Sequence, residues 1–299
     1  IPDNHSLGLS LNRRTENFNL FAQLGAGYRS LPQESENINR NLITNEVLLS
    51  NGKEFRNETF FNLTLGTDYH INDLNVLTLS GNFAYEIEDQ PSNYNFQFFD
   101  ENNNLISSWL REETTEATNP KYKYELNYKK QFENNEDHTL QLSALGSFFG
   151  KELESQFANT TSSGTNINSD QQTKTNFQQA DYTFKADYVN PISEVYTIET
   201  GAQYVINDVG NDFEVRDFID GAYLVNEDLT NNFEWNQKVL GLYATGAYER
   251  EKWGIKAGLR IEQTNVNTLL TNTNQSNERN YSNFFPTLHT SYKISDNIS

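Results

Sequence analysis

The sequence predicts an all-β chain: an antiparallel transmembrane β-barrel, or a half-barrel segment, of about eleven strands with short turns at one end and long loops at the other. Three observations carry that expectation. Apolar and polar residues alternate with period two over runs of ~10–14 residues, against a usual strand of ~5–6. The connections between runs alternate between short and long, and aromatic side chains gather at the run ends.

The elements follow in order. Leu7, Leu9 and Leu11 alternate before the turn "NRRTEN", and Phe18, Leu20, Ala22, Leu24, Ala26 and Tyr28 after it. In "NLTLGTDYHINDLNVLTLSGNFAYEIE" one apolar parity holds Phe61, Leu63, Leu65, Thr67 and Tyr69, and resumes with Leu77, Leu79, Gly81, Phe83, Tyr85 and Ile87. Tyr122, Tyr124, Leu126 and Tyr128 lead through "QFENNED" into Leu140, Leu142, Ala144, Gly146 and Phe148. Tyr182, Phe184, Ala186 and Tyr188 pass through "NPISEV" to Tyr196, Ile198, Thr200, Ala202 and Tyr204. Leu240, Leu242, Ala244, Gly246 and Tyr248 turn at "EREK" into Trp253, Ile255, Ala257, Leu259 and Ile261. Leu288, Thr290, Tyr292 and Ile294 mark a last strand. Pro32, Pro91, Pro120, Pro191 and Pro286 are expected in connections or at strand starts, where no ladder donor is lost.

Composition narrows the solvent. A hydrophobic content of 35% and a mean hydropathy of -0.75 resemble a soluble or partly disordered chain. Aromatics at 13%, with 16 Tyr and 20 Phe, are too abundant for disorder. No stretch approaches the ~18 consecutive apolar residues of a membrane helix, which leaves strands as the only means of crossing. A net charge of -19 argues against nucleic acid as a partner, because a phosphate backbone recruits basic surface. The absence of cysteine excludes disulfides and thiolate chemistry. The opening "IPDNHSLGLS" reads as strand, so the chain is expected to be a processed or excised piece.

The direction of the apolar face decides between a packed core and lipid. The opposite parity carries Lys123, Glu125, Lys129, Asp181, Lys185, Asp187, Glu199, Lys256, Arg260 and Glu262, too many charges for a core. A basic residue at mid-membrane on the lipid side costs ~2–4 kcal/mol, so the charged parity faces water and the apolar parity faces hydrocarbon. Aromatics on the apolar parity form two rings. Tyr69, Tyr128, Tyr188, Tyr196, Tyr248, Trp253 and Tyr292 stand at the short-turn end, and Tyr28, Tyr85, Phe148 and Tyr204 at the long-loop end. The long connections, near 31–56, 90–119, 152–175, 206–232 and 267–282, fall on one side, as extracellular loops do in an outer-membrane barrel with short periplasmic turns.

Five stretches, among them "YELNYKKQFENNEDHTLQLSALGSFF", "FQQADYTFKADYVNPISEVYTIETGAQY" and "WGIKAGLRIEQT" followed by Phe285-Pro286, resemble successive hairpins of Bacteroidetes TonB-dependent receptor-like outer-membrane proteins. The resemblance spans essentially the whole chain and implies a barrel of about twenty-two strands, an internal plug and an N-terminal coupling segment. Neither plug nor coupling box is legible in the chain, so residues 1–299 are expected to form part of one barrel domain, with plug and remaining strands elsewhere. It further implies import of a nutrient, with partners in the lipid bilayer and the TonB energy-coupling system. The alternative is a structural barrel that presents large surface loops to a partner.

Candidate chemistry is sparse. His5, His70, His138 and His289 have no metal-ligand spacing and read as solvated turn residues. Glycines are scattered along strands without a phosphate-cradling loop, and no cofactor is expected. Asp208, Asp212, Asp217 and Asp220 lack the spacing of a calcium loop and read as solvated loop charge. No carboxylate pair or Ser/His/Asp set supports catalysis. Within "SNYNFQFFDENNNLISSWL", Tyr94, Phe96, Phe98, Phe99 and Trp109 are candidate ligand-binding residues; their rings either stack on a ligand, hold the loop together or extend strands above the membrane.

Overall fold

The computed structural model describes residues 3–133, 135–167 and 169–293, so the expected strand position Ile294 lies outside the described residues. One antiparallel sheet contains β1 (Asp3–Arg14), β2 (Phe18–Arg40), β3 (Val47–Asn72), β4 (Asn75–Asp89), β5 (Ser92–Phe99), β6 (Leu105–Phe132), β7 (Asn135–Gly164), β8 (Gln171–Pro191), β9 (Tyr196–Ile219), β10 (Ala222–Val225), β11 (Asn231–Glu249), β12 (Trp253–Leu270) and β13 (Gln275–Tyr292). Eleven of them form a meander in chain order; β5 lies between β3 and β6 above β4, and β10 folds back on β9. The predicted strand count and fold class therefore hold.

The connections at the long end differ from expectation in kind. Much of what reads as loop continues as ladder: β2 and β3 pair from Phe18↔Tyr69 through to Arg40↔Val47, and β7 runs 30 residues. The physical reason is that a solvated ladder needs no apolar parity. Beyond the apolar band both faces are polar, the alternation vanishes, and the backbone pairing carries on regardless. The extension of β9 ends in Asp220-Gly221, both at positive φ (51° and 88°), the geometry of a two-residue hairpin turn into β10.

Four prolines are also displaced from expectation, since Pro32, Pro120 and Pro286 sit within strands and Pro191 is the last residue of β8. Among the described residues, β1 pairs with β2 as far as Ser30, short of Pro32; Pro286 pairs with Leu259 of β12; and the β6–β7 ladder skips from Thr118↔Glu152 to Lys121↔Phe149 around Pro120.

The register carries the apolar parity from strand to strand along the meander, with Phe21, Phe60, Leu145 and Phe149 on the charged face. One row runs Phe18–Tyr69–Leu77–Tyr128–Leu142–Ala186–Ala202–Leu242–Ile261–Phe284, all on the apolar face. Phe18 opens its strand, whereas Phe284 lies eight residues before the end of β13. That stagger of roughly 26 Å across roughly 43 Å of sheet corresponds to a strand tilt of about 30°, close to the ~35–45° of membrane barrels.

No hydrophobic core exists in the described residues: Leu65, Leu79, Leu242 and Leu259 are 45–54% exposed. Of the twelve buried non-glycine residues, all but Val47 belong to the polar parity, including Glu88, Asn119 and Thr115. Side chains converge on the concave side of a curved sheet and cover one another, so the charged parity is the inner face. Aromatic rows mark both margins of the apolar face. Trp253 meets Tyr292 at 4.6 Å, Tyr196 meets Tyr248 at 5.0 Å, and Phe61, Phe83, Tyr122 and Phe148 form a chain of ring contacts across four strands.

β1 and β13 end the sheet and run in the same direction, both toward the short turns. The face assignment makes a direct prediction. Leu242→Arg, refolded into phospholipid vesicles, loses about 2–4 kcal/mol of unfolding free energy by denaturant titration, and an unchanged midpoint contradicts an outward-facing Leu242.

Candidate functional site

The site grows from a broken strand. Pro91 interrupts β4, because a residue without an N–H cannot continue the ladder; the Gln90 amide donates to the Thr115 carbonyl, and the chain resumes as β5. β5 returns through Asp100–Asn104 into β6, with Asn103 at φ 61°. The Asp100 carboxylate accepts bonds from the Asn104 side chain (2.9 Å), the Asn104 amide (2.7 Å) and the Asn102 amide (2.9 Å). This β5–β6 hairpin raises its side chains above the lipid band.

Register distributes the five candidate aromatics over two faces. Tyr94 pairs with Gly52 and Arg111, Phe96 with Ser50 and Trp109, and Phe98 with Ser107, all on the inner parity; Phe99 pairs with Val47 on the outer one. Phe96 and Trp109 stack at 5.0 Å and 7°, and Tyr94 stands 6.4 Å from Phe96. Tyr94, Phe96 and Trp109 thus come together as a platform, whereas the structure places Phe99 on the opposite side of the sheet. Trp109 Nε1 is buried with no acceptor among the described residues.

Arg111 completes the platform and escaped the sequence reading. Its guanidinium lies 5.5 Å from the ring centres of both Phe96 and Phe157, and its Nε donates to Asn159 Oδ1 at 2.9 Å. Asn159 is itself buried and donates to the Ser169 carbonyl. The signal was available in the period-two rule, since Arg111 shares the parity of Trp109; Phe157 and Asn159 sit across the β6–β7 ladder and needed the register.

Below the platform the inner face is wet and charged. Lys121 meets Glu86 at 2.9 Å, Lys151 meets Glu88 at 3.1 Å, and Asn119 donates to both carboxylates. Deeper, Lys256 pairs with Glu199, Lys185 with Asp187, and Arg260 bridges Gln203 and Glu262 beneath the Tyr243 ring. Tyr243 donates to Asp187 and lies over Gly201, where a Cβ would stand 2.3 Å from the ring. Of the charges expected in the lumen, Lys185 with Asp187 and Arg260 with Glu262 pair along one strand, and Lys256 with Glu199 pairs across strands.

The remaining sequence candidates do not assemble. Asp208 accepts from Asn236, Asp212 from Asn232, and Asp217 from Gln171 and Asn226 on the opposite parity, so the acidic run does not converge. No group of three His, Asp or Glu able to hold a metal occurs among the described residues. His138 differs from a solvated turn residue: it stacks on Phe132 at 4.0 Å and shares a 2.9 Å hydrogen bond with the Tyr188 hydroxyl at the short-turn margin.

Asp100 is the testable charge of the hairpin. Bonds from the Asn104 side chain and then its backbone amide hold this exposed carboxyl below its ordinary value of 3.8. Its contribution to the turn is therefore complete above that value and is lost as pH falls through the depressed one. Asp100→Ala is expected to speed amide exchange at Asn102 and Asn104 at neutral pH; unchanged exchange contradicts this role.

The family match places the chain. Residues 134–299 match the model of the outer membrane protein beta-barrel family. Among solved structures, the unliganded ferric citrate transporter FecA aligns with 98% of this chain and 42% of its own, at 10% identity and a TM-score of 0.47. The outer membrane protease OmpT of Escherichia coli aligns over 93% of this chain and 96% of its own, at 13% identity and a TM-score of 0.29. No curated protein matches the sequence. This chain therefore spans less than half the length of the transporter and, by its family match and its strand pattern, belongs to the outer membrane protein beta-barrel family, resident in the outer membrane.

Proposed function

We propose that the chain is a segment of a TonB-dependent receptor of the Bacteroidetes type, which captures a nutrient at the extracellular mouth and imports it across the outer membrane. The observation that supports this reading best is the placement of the platform. Phe96, Trp109 and Arg111 lie on the inner parity above a lumen lined with paired charges, where a captured solute has a polar path inward. Aromatic faces suit ligand capture because they offer large contact area at little conformational cost.

The reading includes the domain. Residues 1–299 are part of one barrel domain whose plug and further strands are supplied outside this segment. β1 and β13 run the same way, so antiparallel closure requires an odd number of additional strands. An edge left open in hydrocarbon costs several kcal/mol for each unpaired backbone group. Catalysis is not part of the reading, since His138 is engaged by Phe132 and Tyr188 at the periplasmic margin rather than poised beside a nucleophile.

Uptake by cells expressing the complete receptor is expected to disappear when the TonB protein is deleted. Truncating both Phe96 and Trp109 to Ala costs about 1.4 kcal/mol or more of capture energy and raises the half-saturating concentration roughly tenfold or more. Uptake indifferent to the energy-coupling system contradicts import. A partner protein retained by the raised β6–β7 strands under those conditions would point instead to a surface-assembly role.

A further inference from the structure

Resting on that reading of the mouth as a capture site, we propose that the platform selects an organic anion: a ligand that joins a carboxylate to a flat aromatic ring. Arg111 stands between two aromatic rings on the inner parity. Like Lys123 and Lys129 on the same face, this guanidinium makes no ion pair among the described residues, but unlike them it lies against two aromatic rings. No carboxylate among the described residues competes with an anion brought to Arg111 from outside.

Its geometry defines what that anion looks like. The bond from Nε to Asn159 Oδ1 uses one edge of the guanidinium, and buried Asn159 is in turn anchored to the Ser169 carbonyl. The two terminal nitrogens have no partner among the described residues. They form the fork that accepts a carboxylate with two parallel hydrogen bonds, a geometry that an ammonium cannot copy. Phe96 and Phe157 flank the guanidinium, which limits its rotation. Beside the fork, the Phe96–Trp109 stack and Tyr94 provide ring faces on the same parity. The carboxylate is thus read by Arg111 and the ring by its neighbours; each feature alone is common, and their adjacency sets the class.

The probe is 2-naphthoate, compared with its uncharged amide and with cyclohexanecarboxylate, using the complete receptor in lipid nanodiscs and empty nanodiscs as the baseline. Saturation-transfer NMR reads binding at the probe itself. The receptor is expected to bind 2-naphthoate at least about tenfold more tightly than either analogue, since the amide loses the ionic fork and the cyclohexyl compound loses the flat ring. Arg111→Gln is expected to abolish the preference for the acid over the amide, and Arg111→Lys to restore only part of it. Retained heat-modifiable gel migration, a shift between unheated and heated samples matching the parent, shows that each variant is folded.

Equal binding of acid and amide, an unchanged preference in Arg111→Gln, or no binding of 2-naphthoate overturns the proposal. Those results leave import untouched, because TonB-dependent uptake is measured separately in cells. Conversely, loss of TonB dependence with the acid preference intact overturns import and leaves the anion site standing.

Discussion

Hydrocarbon offers no partner to a peptide N–H or C=O, and this shortage shapes everything else in the molecule. Each strand must place all its backbone groups against neighbours, so the sheet is continuous and antiparallel. Side chains then have only two directions available, outward to lipid or inward to water. The unbroken row from Phe18 to Phe284 is the result, as is the absence of any dry protein interior beneath Leu65 or Leu259. Stability of the kind a soluble domain draws from a core comes here from the continuous ladder and from lipid against the apolar face.

The same ladder carries the architecture past the membrane. Where the apolar parity ends, pairing persists, and β6 and β7 rise together into solvent. The capture platform is built from this overhang rather than from an irregular loop. Its rings are held by strand register, which fixes Phe96 opposite Trp109 more tightly than a flexible connection could. One proline makes the arrangement possible: by ending β4 at Asp89, Pro91 lets β5 enter between β3 and β6 with its aromatics turned inward.

The extent to which sequence revealed this follows from the physics of each feature. The membrane-embedded rows were readable because lipid enforces strict alternation; Leu242, Leu259, Lys256 and Arg260 lie on the faces their parity implies. The overhang was not, because Asn, Ser, Thr and Glu on both faces of β7 leave no periodic trace of a strand that exists through its backbone alone. Tyr94, Phe96 and Trp109 stood out by composition, but their shared face depended on parity carried through a hairpin whose register shifts between Phe98 and Phe99. Phe99 parted from them by plain alternation, one residue beyond Phe98 on an unshifted ladder with β3. Arg111 needed Phe157 and Asn159, some 46 and 48 residues away in the chain, before its role could be seen.

The central claim is the orientation of the two faces, and the chain's lack of cysteine makes it directly measurable. Single cysteines from Ile255 to Ile261, each carrying a nitroxide in bilayer-reconstituted protein, report contact with lipid through dissolved oxygen and contact with water through a nickel chelate. The account predicts a two-residue oscillation, with Ile255, Ala257, Leu259 and Ile261 relaxed by oxygen and Lys256, Gly258 and Arg260 by nickel. A reversed phase, or no oscillation, contradicts it.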